Sequence, residues 1–198
     1  MKLFKFLRAI VAAVCKLIWF VRVENIEALP EKGSAVMVSN HISDLDPVFY
    51  LAFVKKRHIH FMAKAELFKY KIVAKFLRYC KAFPIKRGAG DQDALGTAMK
   101  TLEDGNVMGI FAEGTRTKTG KLLPFKSGAV AIAQKANAPI VTAVIKTKNQ
   151  KIRPFRRVTI RFGRVFWPDE LGIEGESLLQ IKGAVKMVRE NVQELLGE

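Results

Sequence analysis

Apolar and polar positions change rhythm along this chain in blocks that predict helices and strands in turn. Residues 2–23 carry Leu3, Phe6, Leu7, Ile10, Val14, Leu17, Ile18 and Val21 at helical spacing. Lys2, Lys5, Ala9, Ala12 and Lys16 follow the other side, with Arg8 near its border, and Trp19 and Phe20 add aromatic residues. The pattern predicts a basic amphipathic helix. A membrane-spanning helix needs roughly 20 predominantly apolar residues, and Lys16 and Arg22 interrupt this one. No Ala-x-Ala cleavage site of a secretory signal follows. A helix lying in the plane of a membrane surface fits the pattern. A terminal helix packed on the core is the alternative reading of the same periodicity.

Short apolar runs follow, separated by helical patterns. Strands are predicted at Ala35–Ser39, Ile59–Ala63, Ala82–Ile85, Val107–Ala112, Ile140–Ile145 and Val158–Phe166. Asp46-Pro47 opens a helix, with Asp46 as N-cap and Pro47 in the first helical position. Further helices are predicted over Glu66–Lys81, from Asp91 to Glu103, from Ser127 to Ala136 and over Ser177–Leu196. Gly88–Gly90 and the Lys-rich stretch Thr115–Leu123 read as loops. Alternation of this kind predicts an α/β fold with a mostly parallel or mixed sheet covered by helices. It divides the chain into a helix at 1–23 and a single domain at 24–198.

Composition adds one strong constraint. The 198 residues carry 34 Lys and Arg against 18 Asp and Glu, a formal charge of +16. Such an excess calls for an anionic partner: nucleic acid, an anionic membrane surface or a phosphorylated substrate. A hydrophobic content of 49% excludes a disordered chain. Cys15 and Cys80 are the only cysteines and form no CxxC pair, so neither a disulfide framework nor a zinc site is indicated.

Candidate chemistry sits where predicted strands end. His41 follows Ala35–Ser39, and Asp46 lies close enough in sequence for its carboxylate to meet the imidazole. A carboxylate on one ring nitrogen fixes the tautomer and raises the basicity of the other, which can then accept a substrate proton. Asp44 competes for that orienting role. Arg87 follows Ala82–Ile85 and Arg116 follows Val107–Ala112. If those two strands neighbour each other, two guanidinium forks converge on a phosphate. Gly114 permits close backbone approach. Glu113 can accept from a substrate hydroxyl or hold Arg116 in place. His58 and His60 share one strand face without a third ligand nearby, which is weak for a metal. Gly88-Ala89-Gly90 completes neither a P-loop nor a dinucleotide fingerprint. Cys80 falls within an apparent helix with no adjoining base, which argues against an acyl-carrying thiol.

Taken together, four blocks resemble the lysophosphatidate acyltransferase family, the 1-acylglycerol-3-phosphate O-acyltransferases. Asn40-His41 through Asp46 resembles its Asn-His-x4-Asp block. Phe83-Pro84-Ile85-Lys86-Arg87 is similar to the second block, Phe111-Ala112-Glu113-Gly114-Thr115-Arg116 to the third, and Pro139-Ile140-Val141 to the start of the fourth. Met62–Leu67 and Phe125–Ala129 resemble flanking stretches, and the match runs from about Ser34 to Val144 with order and spacing kept. Ala112 and Thr142 depart from the pattern, each standing where the family has proline.

The resemblance implies an acyl thioester donor, acyl-CoA or an acyl carrier protein, and a lysophosphatidate acceptor. It implies His41 as general base with Asp46 as its partner. Arg87, Glu113, Gly114, Thr115 and Arg116 are implied in binding the acceptor's glycerol phosphate, with Asn40 and Lys126 in support. It requires neither a metal nor a bound organic cofactor. The expected product is phosphatidic acid, made by a peripheral membrane protein on the cytoplasmic face. Other readings are another acceptor within the same family, a basic nucleic-acid-binding protein, which the ordered blocks and the apolar N-terminal stripe disfavour, and a catalytically silent membrane module.

Overall fold

A computed structural model describes residues 2–85, 92–173 and 177–197, apart from the side chains of residues 2–5, 76 and 79. The elements in chain order are α1 (Lys2–Trp19), β1 (Arg22–Glu24), β2 (Ala35–Ser39), α2 (Asp46–Phe53), β3 (Ile59–Lys64), α3 (Lys71–Tyr79), β4 (Phe83–Ile85), α4 (Gln92–Glu103), β5 (Val107–Phe111), α5 (Gly128–Lys135), β6 (Ile140–Thr147), β7 (Val158–Phe166) and α6 (Leu178–Leu196). The strands form one mixed sheet in the order β1-β7-β6-β2-β5-β3-β4. Only the β6–β7 pair is antiparallel among these neighbours. This is the α/β architecture that the strand–helix alternation predicts.

Strand β2 sits at the centre and is buried along its whole length. A continuous apolar run is what a strand covered on both faces requires. Its side chains alternate between two cores. Ala35 and Met37 pack with Phe49, Tyr50 and Phe53 of α2. Val36 and Val38 pack with Ala98 and Leu102 of α4, Ala129 and Val130 of α5, and Ala184 and Val188 of α6.

The connections out of β2 and β5 leave toward opposite faces. From β2 the chain enters α2 on one face, and from β5 it enters α5 on the other. Because β2 and β5 are neighbours, their carboxyl ends flank a crevice. Open α/β sheets bind ligands at such a switch point.

The structure departs from the sequence pattern at several points. The first helix ends at Trp19 rather than near residue 23. Phe20 takes φ 46, and the β-branched Val23 then pairs with β7 beside Arg22 and Glu24. The apolar stripe of α1 also faces outward: Phe6, Ile10, Val14 and Leu17 are exposed, while Ala12, Cys15 and Trp19 pack inward. The stretch Glu66–Lys81 divides into a 3-10 turn at Ala65–Lys69 and helix α3, with Tyr70 extended between them. Asp46 is the first helical residue rather than the cap, because its carboxylate turns back to the preceding loop. Finally, β3 lies between β4 and β5, so the strands preceding Arg87 and Arg116 are not neighbours. Arg87 itself, with the Gly88–Gly90 loop and Asp91, lies outside the described residues.

Candidate active site

At the end of β2 the chain leaves the sheet, and the residues that follow are fixed by polar contacts to both neighbouring strands. Ser39 shares a hydrogen bond of 2.8 Å with the hydroxyl of buried Tyr50. Burial raises the Tyr50 phenol above its ordinary range, so it stays neutral. The Asn40 amide completes the β-ladder beyond the last backbone pair: Nδ2 donates to the Ile145 carbonyl at 3.0 Å, and Oδ1 accepts from the Ile145 N–H at 2.9 Å. A side chain with a donor and an acceptor side by side is what this double bond needs. Asn40 therefore supports the site by latching the loop to β6.

His41 comes next, with its side chain only 12% exposed. Its Nδ1 lies 2.8 Å from Asp46 Oδ2. The same oxygen accepts the backbone N–H of Ile42 at 2.7 Å and of Ser43 at 2.9 Å. Three donors on one carboxylate oxygen fix the anion in place. With Asp46 accepting from Nδ1–H, Nε2 is left as the acceptor nitrogen. Among the described residues Nε2 has no hydrogen-bond partner. Such a pair can take a proton at Nε2 and stabilise the imidazolium that results. Asp44 does not compete for the ring; its carboxylate pairs with Arg116 instead.

The imidazole rests on an aromatic stack. Phe111, the last residue of β5, lies parallel to His41 at 4.1 Å between ring centroids, and Phe61 of β3 lies parallel to Phe111 at 5.4 Å. Gly109 makes room for it. A Cβ there would stand 2.4 Å from the Phe61 ring and 2.7 Å from Ile59. Gly109, Phe61 and Phe111 are positioning residues that the chain's motifs do not mark as such. The available signal was a glycine inside an apolar strand, which often marks close approach of a neighbour.

Glu113 is 3% exposed and does not hold Arg116 in place. Its Oε1 accepts the His41 backbone N–H at 2.6 Å and its Oε2 accepts the Leu123 N–H at 2.8 Å. It thus braces the histidine loop against the stretch that leads to α5. Burial pushes its pKa up, and the two backbone donors pull in the opposite direction. Thr117 N–H adds a second tie, donating to the His41 carbonyl at 3.0 Å. Gly114 takes φ +70, and the Lys126 side chain runs over it, 2.8 Å from where a Cβ would sit. Only glycine combines that backbone angle with that neighbour. Lys126 donates its backbone N–H to the Ala112 carbonyl at 2.8 Å. Thr115 is exposed.

Arg116 does not meet Glu113. Its Nη1 lies 2.6 Å from Asp44 Oδ2, and both side chains are largely exposed. An exposed pair of this kind is worth about 0–1 kcal/mol, so a phosphate could take the guanidinium from Asp44 at little cost. Thr142 sits at the irregularity in the β6–β7 register, and its hydroxyl lies 2.7 Å from Asn191 Oδ1 and 3.1 Å from the Arg164 carbonyl. That turns it toward α6, away from the face that holds Phe61. Cys80 falls just past α3, buried, with its thiol pushed up to about 11 by desolvation. A thiol so raised is a poor nucleophile. Among the described residues no three His, Cys, Asp or Glu side chains gather to hold a metal ion. A surface concavity of about 510 Å³ runs along α4 and β3 and is lined by none of these site residues.

The acyltransferase family model matches residues 20–146, which carry every described residue of this site. The chain belongs to the acyltransferase family. It is 36% identical over 141 residues to a 1-acyl-sn-glycerol-3-phosphate acyltransferase of Bacillus subtilis, a match that spans 71% of this chain and 70% of that protein. A chloroplastic 1-acyl-sn-glycerol-3-phosphate acyltransferase of Arabidopsis thaliana is 34% identical over 61% of this chain but only 34% of its own length. Among solved structures, the 1-acyl-sn-glycerophosphate acyltransferase of Thermotoga maritima superposes with a TM-score of 0.73 at 27% identity, over 100% of this chain and 83% of that one. The acyltransferase resemblance drawn from the sequence blocks therefore stands, and so does the fold it implies.

Proposed function

We propose that this acyltransferase moves an acyl group from a thioester to the sn-2 hydroxyl of 1-acylglycerol 3-phosphate, giving phosphatidic acid. The observation that carries the reading is the His41–Asp46 pair at 2.8 Å, held at the crevice between β2 and β5, with no partner on Nε2 among the described residues. The acceptor hydroxyl gives its proton to Nε2 as its oxygen bonds to the thioester carbonyl carbon. Asp46 stabilises the imidazolium. When the C–S bond breaks, the imidazolium returns the proton to the leaving thiolate. Direct transfer needs no protein nucleophile, and neither a metal nor an organic cofactor enters the scheme. Arg116 binds the phosphate after release from Asp44, with Arg87 as its proposed second cation. Glu113, Gly114 and Thr115 shape the wall on which the glycerol phosphate rests.

The acceptor's membrane origin fits the outward stripe of α1. Among the described residues no helix is long and apolar enough to cross a membrane. A helix with Phe6, Ile10, Val14 and Leu17 on its open face can instead lie in the headgroup boundary. The reading therefore includes a peripheral location on the cytoplasmic face of an anionic membrane.

Product analysis tests the assignment. Purified enzyme given lysophosphatidate and a long-chain acyl thioester, as acyl-CoA and as acyl carrier protein in separate reactions, should yield phosphatidate and a free thiol with at least one donor. Chelator should leave the rate unchanged. Faster acylation of glycerol 3-phosphate than of lysophosphatidate would overturn the acceptor while leaving the chemistry intact.

A further inference from the structure

We propose that the loop joining β6 to β7 is a second membrane contact, whose cationic groove takes the phosphates of anionic lipid headgroups while Phe155 enters the headgroup boundary. The inference rests on the reading of a membrane-borne acceptor.

Residues 148–157 read Lys-Asn-Gln-Lys-Ile-Arg-Pro-Phe-Arg-Arg, with five cations and no carboxylate. Lys148, Asn149, Lys151, Arg153 and Arg156 line a concavity of about 280 Å³. Among the described residues none of its four cations has a carboxylate partner, whereas Arg116, Arg161 and Arg164 each do. A groove of unpaired cations matches anionic headgroups and repels everything cationic.

Phe155 is 73% exposed and takes φ 58. The left-handed region is unfavourable for a bulky aromatic residue, and here it is kept with the residue largely exposed. Its backbone N–H donates to the Ile18 carbonyl at 2.7 Å, which caps the end of α1. That bond sets Phe155 beside the end of the outward stripe, where Leu17 and Phe20 are 74% and 51% exposed. Exposed aromatic and aliphatic side chains bordered by cations are the composition of a membrane-interface surface.

The sheet places this surface beside the chemistry. β6 runs parallel to β2, so its carboxyl end lies on the same edge as His41, and Ile145 is bonded to Asn40. Asn149 also reaches the stretch that follows Arg116: a Cβ on Gly120 would stand 3.1 Å from the Asn149 carbonyl oxygen. Docking through α1 and this loop together turns the His41 edge toward the bilayer. An acidic carrier protein could meet the cations, but it would leave Phe155 and the adjoining stripe without a partner.

Vesicle co-sedimentation of the full-length enzyme tests the contact, with phosphatidylcholine alone and with added phosphatidylglycerol. Lys151→Gln, Arg153→Gln and Arg156→Gln together should weaken partition onto the mixed vesicles roughly a hundredfold at low salt, about fivefold for each cation. Phe155→Asn, which keeps the left-handed backbone, should weaken partition onto both vesicle types. Thermal unfolding matched to wild type checks the fold, and Lys148→Gln with Lys151→Gln replaces the triple variant if that one is unstable. Turnover on a water-soluble short-chain acceptor should stay at the wild-type rate. Wild-type partition by both variants overturns the proposal. So does unchanged partition with a raised KM for the carrier-protein donor, which would assign the groove to that protein. His41→Ala should sediment as wild type does, and wild-type enzyme that binds vesicles but fails to acylate lysophosphatidate would refute the substrate and support the contact.

Discussion

At the scale of single residues, Asp46 explains why a short sequence block can be read directly while its surroundings cannot. His41 and Asp46 are five positions apart and joined by one loop, and the Asp46 oxygen gathers donors from Ile42 and Ser43 along the way. Every Asp46 partner is local, so the sequence could offer the pair as a candidate, with Asp44 as a competitor, and the ordered blocks around it strengthened the choice. His41→Ala should lower the rate by about 10²–10⁴-fold with the melting temperature unchanged; turnover at the wild-type level in the folded variant would refute the proposed base. Glu113 was legible only as a carboxylate near the site. Its true partners, the N–H groups of His41 and Leu123, belong to other segments, one of them 72 positions away. Glu113→Gln must aim its NH₂ at one of those donors, which costs about 1–3 kcal/mol. The same variant should change a pH slope. Burial raises the Glu113 pKa, so the folded state binds this proton more readily than the unfolded one. Its contribution to stability is full below the unfolded pKa and is lost as pH rises through the folded one. Chemical denaturation across that acidic window should show the slope in wild type and its absence in Glu113→Gln.

Between elements, the site depends on three strands meeting in register. Phe111 stands opposite Ser39 and Phe61 opposite Gly109, so one stack runs from β3 through β5 to the loop after β2. The apolar runs marked β2 to β7 and missed the three-residue β1, which continues a helical pattern, and pairing order is set by crossovers that periodicity does not encode. That is why β4 was expected beside β5, when β3 lies between them. Gly109→Ala should test the stack. Overpacking against Phe61 should cost about 1–3 kcal/mol, and tilting of the ring beneath His41 should lower kcat more than it changes the acceptor KM. Equal kinetics in a variant of lowered stability would show that the stack only supports the core. Asp44 and Arg116 also come from different strand ends, 72 positions apart. If the phosphate must displace Asp44, Asp44→Asn should lower the acceptor KM several-fold, and Arg116→Ala should raise it with little change in the donor KM. A raised acceptor KM in Asp44→Asn would make Asp44 part of the binding surface instead.

Over the whole molecule, the charge of +16 and the outward stripe of α1 have to be explained together. Amphipathic periodicity in residues 2–23 was legible, but not which side would face the domain. The side rich in small residues packs inward, because Ala12 and Cys15 let the helix approach α2 closely and Trp19 meets Phe49 edge-on at 5.5 Å. The large apolar residues are left outside, a choice that makes sense only if something apolar covers them. The helix is therefore both a piece of the core and a surface, and substitutions should separate the two. Trp19→Ala should cost about 3–5 kcal/mol in unfolding free energy, as loss of a large packed aromatic does. Phe6→Ser, Ile10→Ser and Leu17→Ser together should leave stability within about 0.5 kcal/mol per site, the range for exposed positions, yet sharply reduce sedimentation with vesicles. If the triple variant instead unfolds as Trp19→Ala does, the stripe is covered by protein rather than lipid. Salt should then distinguish the two forces that hold the enzyme at the surface. Raising ionic strength screens the cations and leaves apolar insertion intact, so wild type should retain a larger salt-resistant fraction on vesicles than the triple serine variant.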